Sequence, residues 1–334
     1  MTIPSGALRF NSDSGKLEYY NGEAWWQIDN FSADNATGGA RGVFGGGLGP
    51  NGITYNNVIE YITLSTTGNS IDFGDLTSLT NATSGCSSST RGLFGGGGTP
   101  SGNINTISFI TISSTGNATS FGSLLSVKDY GGSCSSSTRG IFAGGYSPTR
   151  DNVIQYVTIA STGNSVDFGD LSENKRGPMG VASNTRGVFA GGNAAAPIGN
   201  LNTVEFITVS TLGNVADFGD LTVARPNGGS GSNAIRGVFG GGTISNTIDY
   251  ITIATTGNAI DFGDLTQARG NVGGCASSIR CVFAGGSVGP TSTNVTDYVT
   301  IMSVGNAIDF GDLIQAGSNG QESPAGCSNA HGGL

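Results

Sequence analysis

Six copies of one short pattern constrain this chain more than any other feature. Arg41-Gly42-Val43-Phe44-Gly45-Gly46-Gly47 recurs, with small variations, from Arg91, Arg139, Arg186, Arg236 and Arg280. The copies lie 44 to 50 residues apart, a period that suits units of four short strands and exceeds that of ankyrin or leucine-rich units. One four-stranded meander cannot bury both its faces, so the units must stack on one another.

Within a unit, Gly85-Cys86-Ser87-Ser88-Ser89 reads as a small-residue strand a and Gly92-Leu93-Phe94 as strand b. Residues 247–253 alternate with period two, placing Ile248, Tyr250 and Thr252 on one face of strand c. The turn at 255–258 follows, where Gly257 and Asn258 suit positive φ, and residues 259–265 form strand d. The 59 glycines follow no Gly-X-Y period and are not collagen, while 36% hydrophobic residues are enough for a packed core. The expected class is all-β, a six-bladed β-propeller of four-stranded blades over residues 31–334. Small side chains in strand a fit crowding near an axis, and residues 316–331 repeat strand a with no b, c or d after it. That C-terminal strand is expected to complete the first blade and remove free sheet edges.

Composition then excludes much chemistry. A formal charge of −9 argues against a nucleic-acid or anionic-membrane partner, and no apolar run of about 18 residues provides for membrane insertion. The start has no basic segment leading into an apolar one, so no secretory signal is expected. A lone histidine, His331, rules out His-based triads and His-rich metal sites. Cys86, Cys134, Cys275, Cys281 and Cys327 form no CxxC pair and read as buried free thiols of a reducing compartment. Asp-Phe-Gly at Asp72, Asp167, Asp217, Asp261 and Asp309 repeats on equivalent strands and is architectural. The acids Glu60, Glu173, Glu205 and Glu322 neither repeat nor cluster, so no enzyme and no cofactor is expected.

The Gly-Gly strand ends, the aromatic c strand and the basic residue after strand d, as in Ala268-Arg269-Gly270, resemble the kelch family of β-propellers over residues 31–331. Where kelch units carry a d-strand tryptophan, this chain has Phe73, Phe121, Phe168, Phe218, Phe262 and Phe310, so the resemblance is kelch-like.

Residues 1–30 read as a separate β-meander, with hairpin turns through residues 11–15 and Asn21-Gly22. Their pattern of Gly6, Leu8-Arg9-Phe10-Asn11, Leu17-Glu18-Tyr19-Tyr20-Asn21-Gly22, Trp25 and Ile28 resembles a short module of bacteriophage structural proteins, often tail fibres and appendages. The resemblance implies a virion protein assembled in the host cytoplasm, attached to other virion proteins through Phe10, Tyr19, Tyr20, Trp25 and Trp26. So small a sheet needs cover for its aromatics, and homo-oligomerisation would supply it.

Two residue sets carry the remaining expectations. The six repeat arginines are expected to form ladders with backbone carbonyls or with carboxylates such as Asp75, Asp170, Asp220, Asp264 and Asp312. An exposed anion-binding ring and calcium at the Asp-x-x-Asp pairs are the alternatives. The c–d turns hardly vary, whereas the b–c and d–a loops on the opposite face do. Tyr55, Tyr130, Tyr146, Lys128, Arg150, Lys175, Arg176 and Arg225 in those loops are the candidate contacts for a host-surface glycan or protein. The expected function is a non-enzymatic virion adhesin, with a capsid or tail decoration protein as the alternative.

Overall fold

The computed structural model describes residues 3–11, 16–27, 40–49, 53–314 and 321–334, and among them no helix occurs. The chain divides into two compact units, Met1–Gly38 and Gly39–Leu334. The expected boundary at residues 30 and 31 lies outside the described residues.

The first unit is a three-stranded antiparallel sheet of Leu8–Asn11, Lys16–Tyr20 and Trp25–Gln27. Asn21-Gly22 makes the second hairpin as expected: Gly22 takes φ +107°, and Asn21 Oδ1 accepts the amides of Glu23 and Ala24. The register aligns Leu8, Tyr19 and Trp26 on one face and Arg9 with Glu18 on the other. On that second face Arg9 stacks 4.2 Å over Trp25 and pairs with Glu18 at 2.8 Å, while Tyr20 packs on Trp25 at 5.4 Å. The first face keeps Leu8 62%, Phe10 68% and Trp26 56% exposed.

The second unit holds six four-stranded antiparallel sheets, each ordered a-b-c-d. Sheet 1 combines Ala325–Ser328 with Arg41–Gly45, Asn56–Thr63 and Ile71–Thr80, so its a strand comes from the far end of the chain. Sheets 2 to 6 begin at Ser84–Ser87, Gly132–Ser135, Met179–Ala182, Gly229–Ser232 and Gly273–Ala276. The six a strands touch one another in cyclic order, sheet 6 against sheet 1 and sheet 1 against sheet 2.

Because each sheet lies between two others, both faces are buried. Ile248 and Tyr250 share a face as expected, yet Asp249 and Ile251 on the opposite face are buried too. The strand b phenylalanines Phe44, Phe94, Phe142, Phe189, Phe239 and Phe283 are all buried, each worth about 1.5–3 kcal/mol of apolar transfer.

Three repeated devices join neighbouring sheets. The first explains the unvarying c–d turns. In sheet 2, Gly116 N–H donates to Phe73 O, Ala118 N–H to Asp75 O, and Asn117 Oδ1 accepts the Asp75 N–H. The same docking recurs for the other five turns, down to Asn69 on Asp312. A Cβ on Gly74 would sit 2.6 Å from Gly116, and the other Phe-Gly glycines meet the next turn equally closely. This is why sheet 2, lacking both acids of the motif, still keeps Phe121-Gly122. Gly257 has φ +153°, but Asn258 does not take positive φ; it serves instead as an acceptor, capping the Asp220 N–H.

The second device is the arginine ladder. Arg41, Arg91, Arg139, Arg186, Arg236 and Arg280 each donate to a carbonyl just after strand c of the next sheet, Ile112, Ile159, Val209, Ile253, Ile301 and Leu64. Each guanidinium also covers an aromatic of its own sheet, such as Tyr61 at 4.7 Å, whose edge meets Phe73. The partners are thus carbonyls of the adjacent sheet rather than the d-strand acids.

The third device is size matching at the a–b contact. Cys275, Cys327, Cys86 and Cys134 point their sulfurs at Gly42, Gly92, Gly140 and Gly187, where a Cβ would lie 2.5–2.8 Å from Sγ. In sheet 5 strand a has Gly231, and its partner in sheet 6 is Cys281 instead of glycine. The fifth cysteine is therefore the same contact with large and small exchanged. Burial holds all five thiols above their ordinary value, Cys134 and Cys327 at about 12, which leaves them protonated and inert.

Candidate functional site

The c–d side of the sheets is occupied by docking turns, so the residues free to act lie among the b–c and d–a loops. There the structure divides the eight candidates. Lys128, Lys175 and Arg225 are buried and cannot be direct contacts, a correction to the sequence expectation. Each extends from a d–a loop into the interface with the next sheet. Lys175 pairs with Glu205 at 2.7 Å, Arg225 with Asp249 at 3.0 Å, and Lys128 with Asp151 at 2.8 Å. Arg269 does the same with Asp297 at 2.8 Å. Burial lowers the Arg225 and Arg269 pKa values, and the facing carboxylates oppose that shift.

The acceptors have a second duty that fixes them. Glu205 accepts Ser172 N–H, Asp249 Thr222 N–H, Asp297 Thr266 N–H, Glu60 Ile314 N–H and Gln155 Leu125 N–H, each closing the end of strand d in the preceding sheet. Glu60 and Glu205, two of the acids weighed for catalysis, are thus placed in sheet-to-sheet contacts.

Tyr130, Tyr146 and Arg176 come together and stay half-buried. The Arg176 guanidinium lies 5.5 Å from the Tyr130 ring and 5.6 Å from the Tyr146 ring. Arg150, also half-buried, donates to the backbone and side-chain oxygens of Asn193. Tyr55 lies apart in sheet 1, bridged to Leu48. Asp129, which sequence reasoning passed over, pairs its backbone with Tyr146, and burial raises its carboxyl to about 6 against the opposing effects of Arg176 and Asn103.

The cluster borders a ring of residues in the left-handed region: Ala82 (φ +50°), Tyr130 (+49°), Gly177 (+66°), Asn227 (+59°), Asn271 (+54°) and Ser323 (+57°). All stand two residues before a strand a. Tyr130 N–H donates to Ala82 O, Gly177 N–H to Tyr130 O, Asn227 N–H to Gly177 O, and Ser323 N–H to Asn271 O. Non-glycine residues held at positive φ cost about 1–3 kcal/mol each and persist where surroundings over-determine them. Aligning the units on strand a would have exposed this position, since Gly and Asn together fill half of it.

Inside the ring is a pocket of about 90 Å³ that shares Thr83, Gly131, Pro178, Gly228, Val272 and Pro324 with a cavity of about 160 Å³ between the a strands. The far end is crossed by residues 329–334. His331 Nε2 lies 2.9 Å from Ser87 O, Gly332 N–H donates to Ser232 O, and the Asn184 amide donates to Gly333 O. Burial lowers the His331 pKa. Compared with known proteins, the chain matches no family model and no curated protein.

Proposed function

We propose that residues 39–334 form a six-bladed, kelch-like β-propeller and that the chain is a non-enzymatic bacteriophage virion protein. Its propeller is displayed, and its N-terminal sheet joins it to other virion proteins or to further copies of itself. The cyclic contact order of the a strands and the pairing of Ala325–Ser328 with Arg41–Gly45 support the architecture. The observation that carries the function is the contrast between the two loop sets. The unvarying c–d turns are consumed in docking sheets together, whereas the opposite loops leave Tyr130, Tyr146 and Arg176 grouped and half-exposed around a pocket. Such a surface suits a host glycan or protein.

A decoration or assembly role is the second reading, favoured by the exposed Leu8, Phe10 and Trp26 face, which needs a partner. Deleting residues 1–30 separates the two. An adhesin so truncated leaves the particle and still binds cells as a free protein; an assembly part loses its place and binds none.

A further inference from the structure

The ring of left-handed residues and the cavity beneath it have a chemistry of their own. The cavity walls are glycine, serine, alanine, valine and thiol groups, with Ser133 and Ser230 already donating to Gly85 O and Gly180 O. Among the lining residues the ordinary ionisable group is His331 at the closed end, and its lowered pKa keeps it neutral. At the mouth, the Asn227 side-chain oxygen is out of solvent with no hydrogen-bond partner. The Ser323 hydroxyl, which lines the same pocket, is in the same state. Buried acceptors without donors are costly, on the order of 1–3 kcal/mol each, and are answered by a ligand or water that supplies O–H or N–H groups.

The occupant's class follows from these groups. Donors are wanted, so a polyhydroxylated molecule fits better than an acceptor-rich one. The carboxylates of Asp129 and Glu322 flank Tyr130 and disfavour an acidic ligand. The Arg176 guanidinium against Tyr130 disfavours a cation. Tyr130 lines the same pocket as Asn227 and Ser323, which places its ring at the mouth. Tyr130, Asn227 and Ser323 line the mouth pocket of about 90 Å³, which shares residues with the 160 Å³ cavity, a small space that one ring enters and a chain does not.

We propose that this mouth binds one neutral sugar residue, the terminal unit of a glycan, with Tyr130 as its apolar platform and the Asn227 and Ser323 side chains as its polar readers. The proposal rests on the display reading above and names the ligand class of that face.

The ring itself supplies the test variants. Tyr130→Ala copies Ala82, and Asn227→Gly copies Gly177, so each places at positive φ a residue the ring already holds there. Saturation-transfer NMR on the full chain would use glucose, galactose and N-acetylglucosamine, with N-acetylneuraminic acid as the acidic probe, at about 10 mM to reveal millimolar binding. At least one neutral sugar is expected to bind, with affinity falling tenfold or more in both variants and unchanged in Tyr55→Ala. No signal from any neutral sugar, binding of the acidic sugar alone, or signals that survive in both variants would overturn the proposal. Particle adsorption to cells is measured alongside. Adsorption without sugar binding refutes the sugar site and leaves the display reading standing, while loss of adsorption in particles whose chain still binds sugar refutes the display reading alone.

Discussion

Gly231 and Cys281 show how tightly single residues are matched across the sheet interfaces. Cysteine at 231 would push a side chain into Cys281, whose sulfur lies 2.8 Å from where a Gly231 Cβ would be, and glycine at 281 would leave a hole. Each change alone is expected to destabilise by about 1–3 kcal/mol. The double variant Gly231→Cys/Cys281→Gly restores the arrangement of the other sheets and should recover most of the loss, a coupling that urea denaturation of the four proteins measures. Additive losses would refute the match. Asp129 provides a second residue-scale prediction. Burial raises its pKa from an ordinary 3.8 to about 6, so the folded chain holds this proton more tightly than the unfolded one. Its favourable contribution is complete below about pH 3.8 and is lost as pH rises through 6. Relative to Asp129→Asn, the wild-type melting temperature should therefore fall between pH 4 and 7, and a constant difference would sink the assignment. The buried thiols were legible from composition. The raised Asp129 pKa was not, because it is set by burial and by Arg176 and Asn103, which lie far from Asp129 in sequence.

Strands and their order were readable because the period of two and the glycine punctuation are local signals. The interfaces were readable only in part. Lys128, Lys175 and Arg225 stand in loops, where a basic side chain is ordinarily solvated, and their partners lie 23 to 30 residues away in the next sheet. Lys175→Ala leaves Glu205 buried and uncompensated, and is expected to cost about 3–5 kcal/mol. Lys175→Thr with Glu205→Ser installs the neutral residues that stand at the equivalent positions, Thr80 and Ser108, and should be milder because no charge is left buried alone; equal losses in chemical denaturation would contradict the ion-pair account. At the c–d turn, Asn258→Ala removes the cap on Asp220 N–H, for about 1 kcal/mol. Gly263→Ala should cost more, because its Cβ would meet Gly305 backbone at 2.6 Å. Reversal of that order in thermal melts would show that the turn acts through its hydrogen bonds rather than by close approach.

Six-fold repetition was legible at the scale of the whole molecule, and so was a terminal strand returning to the first sheet, although the strand is shorter than the 316–331 segment that announced it. What the sequence could not convey is how one tail serves several sheets at once, since contacts at Ser87, Ser232 and Asn184 are made by a few residues of unremarkable composition. Removing residues 321–334 bares the Arg41–Gly45 edge and deprives the left-handed ring of Ser323. Such a chain is expected to self-associate on size-exclusion chromatography and to melt in a broadened transition; a monomer with an unchanged melt would mean that the closing strand is dispensable. The pairing of residues 325–328 with 42–45 also imposes an order in time. On a ribosome, the first sheet's b, c and d strands emerge early and wait for a partner made almost three hundred residues later. A chain cut short by a broken message or an early protease therefore never acquires a finished mouth, and only full-length copies can present one.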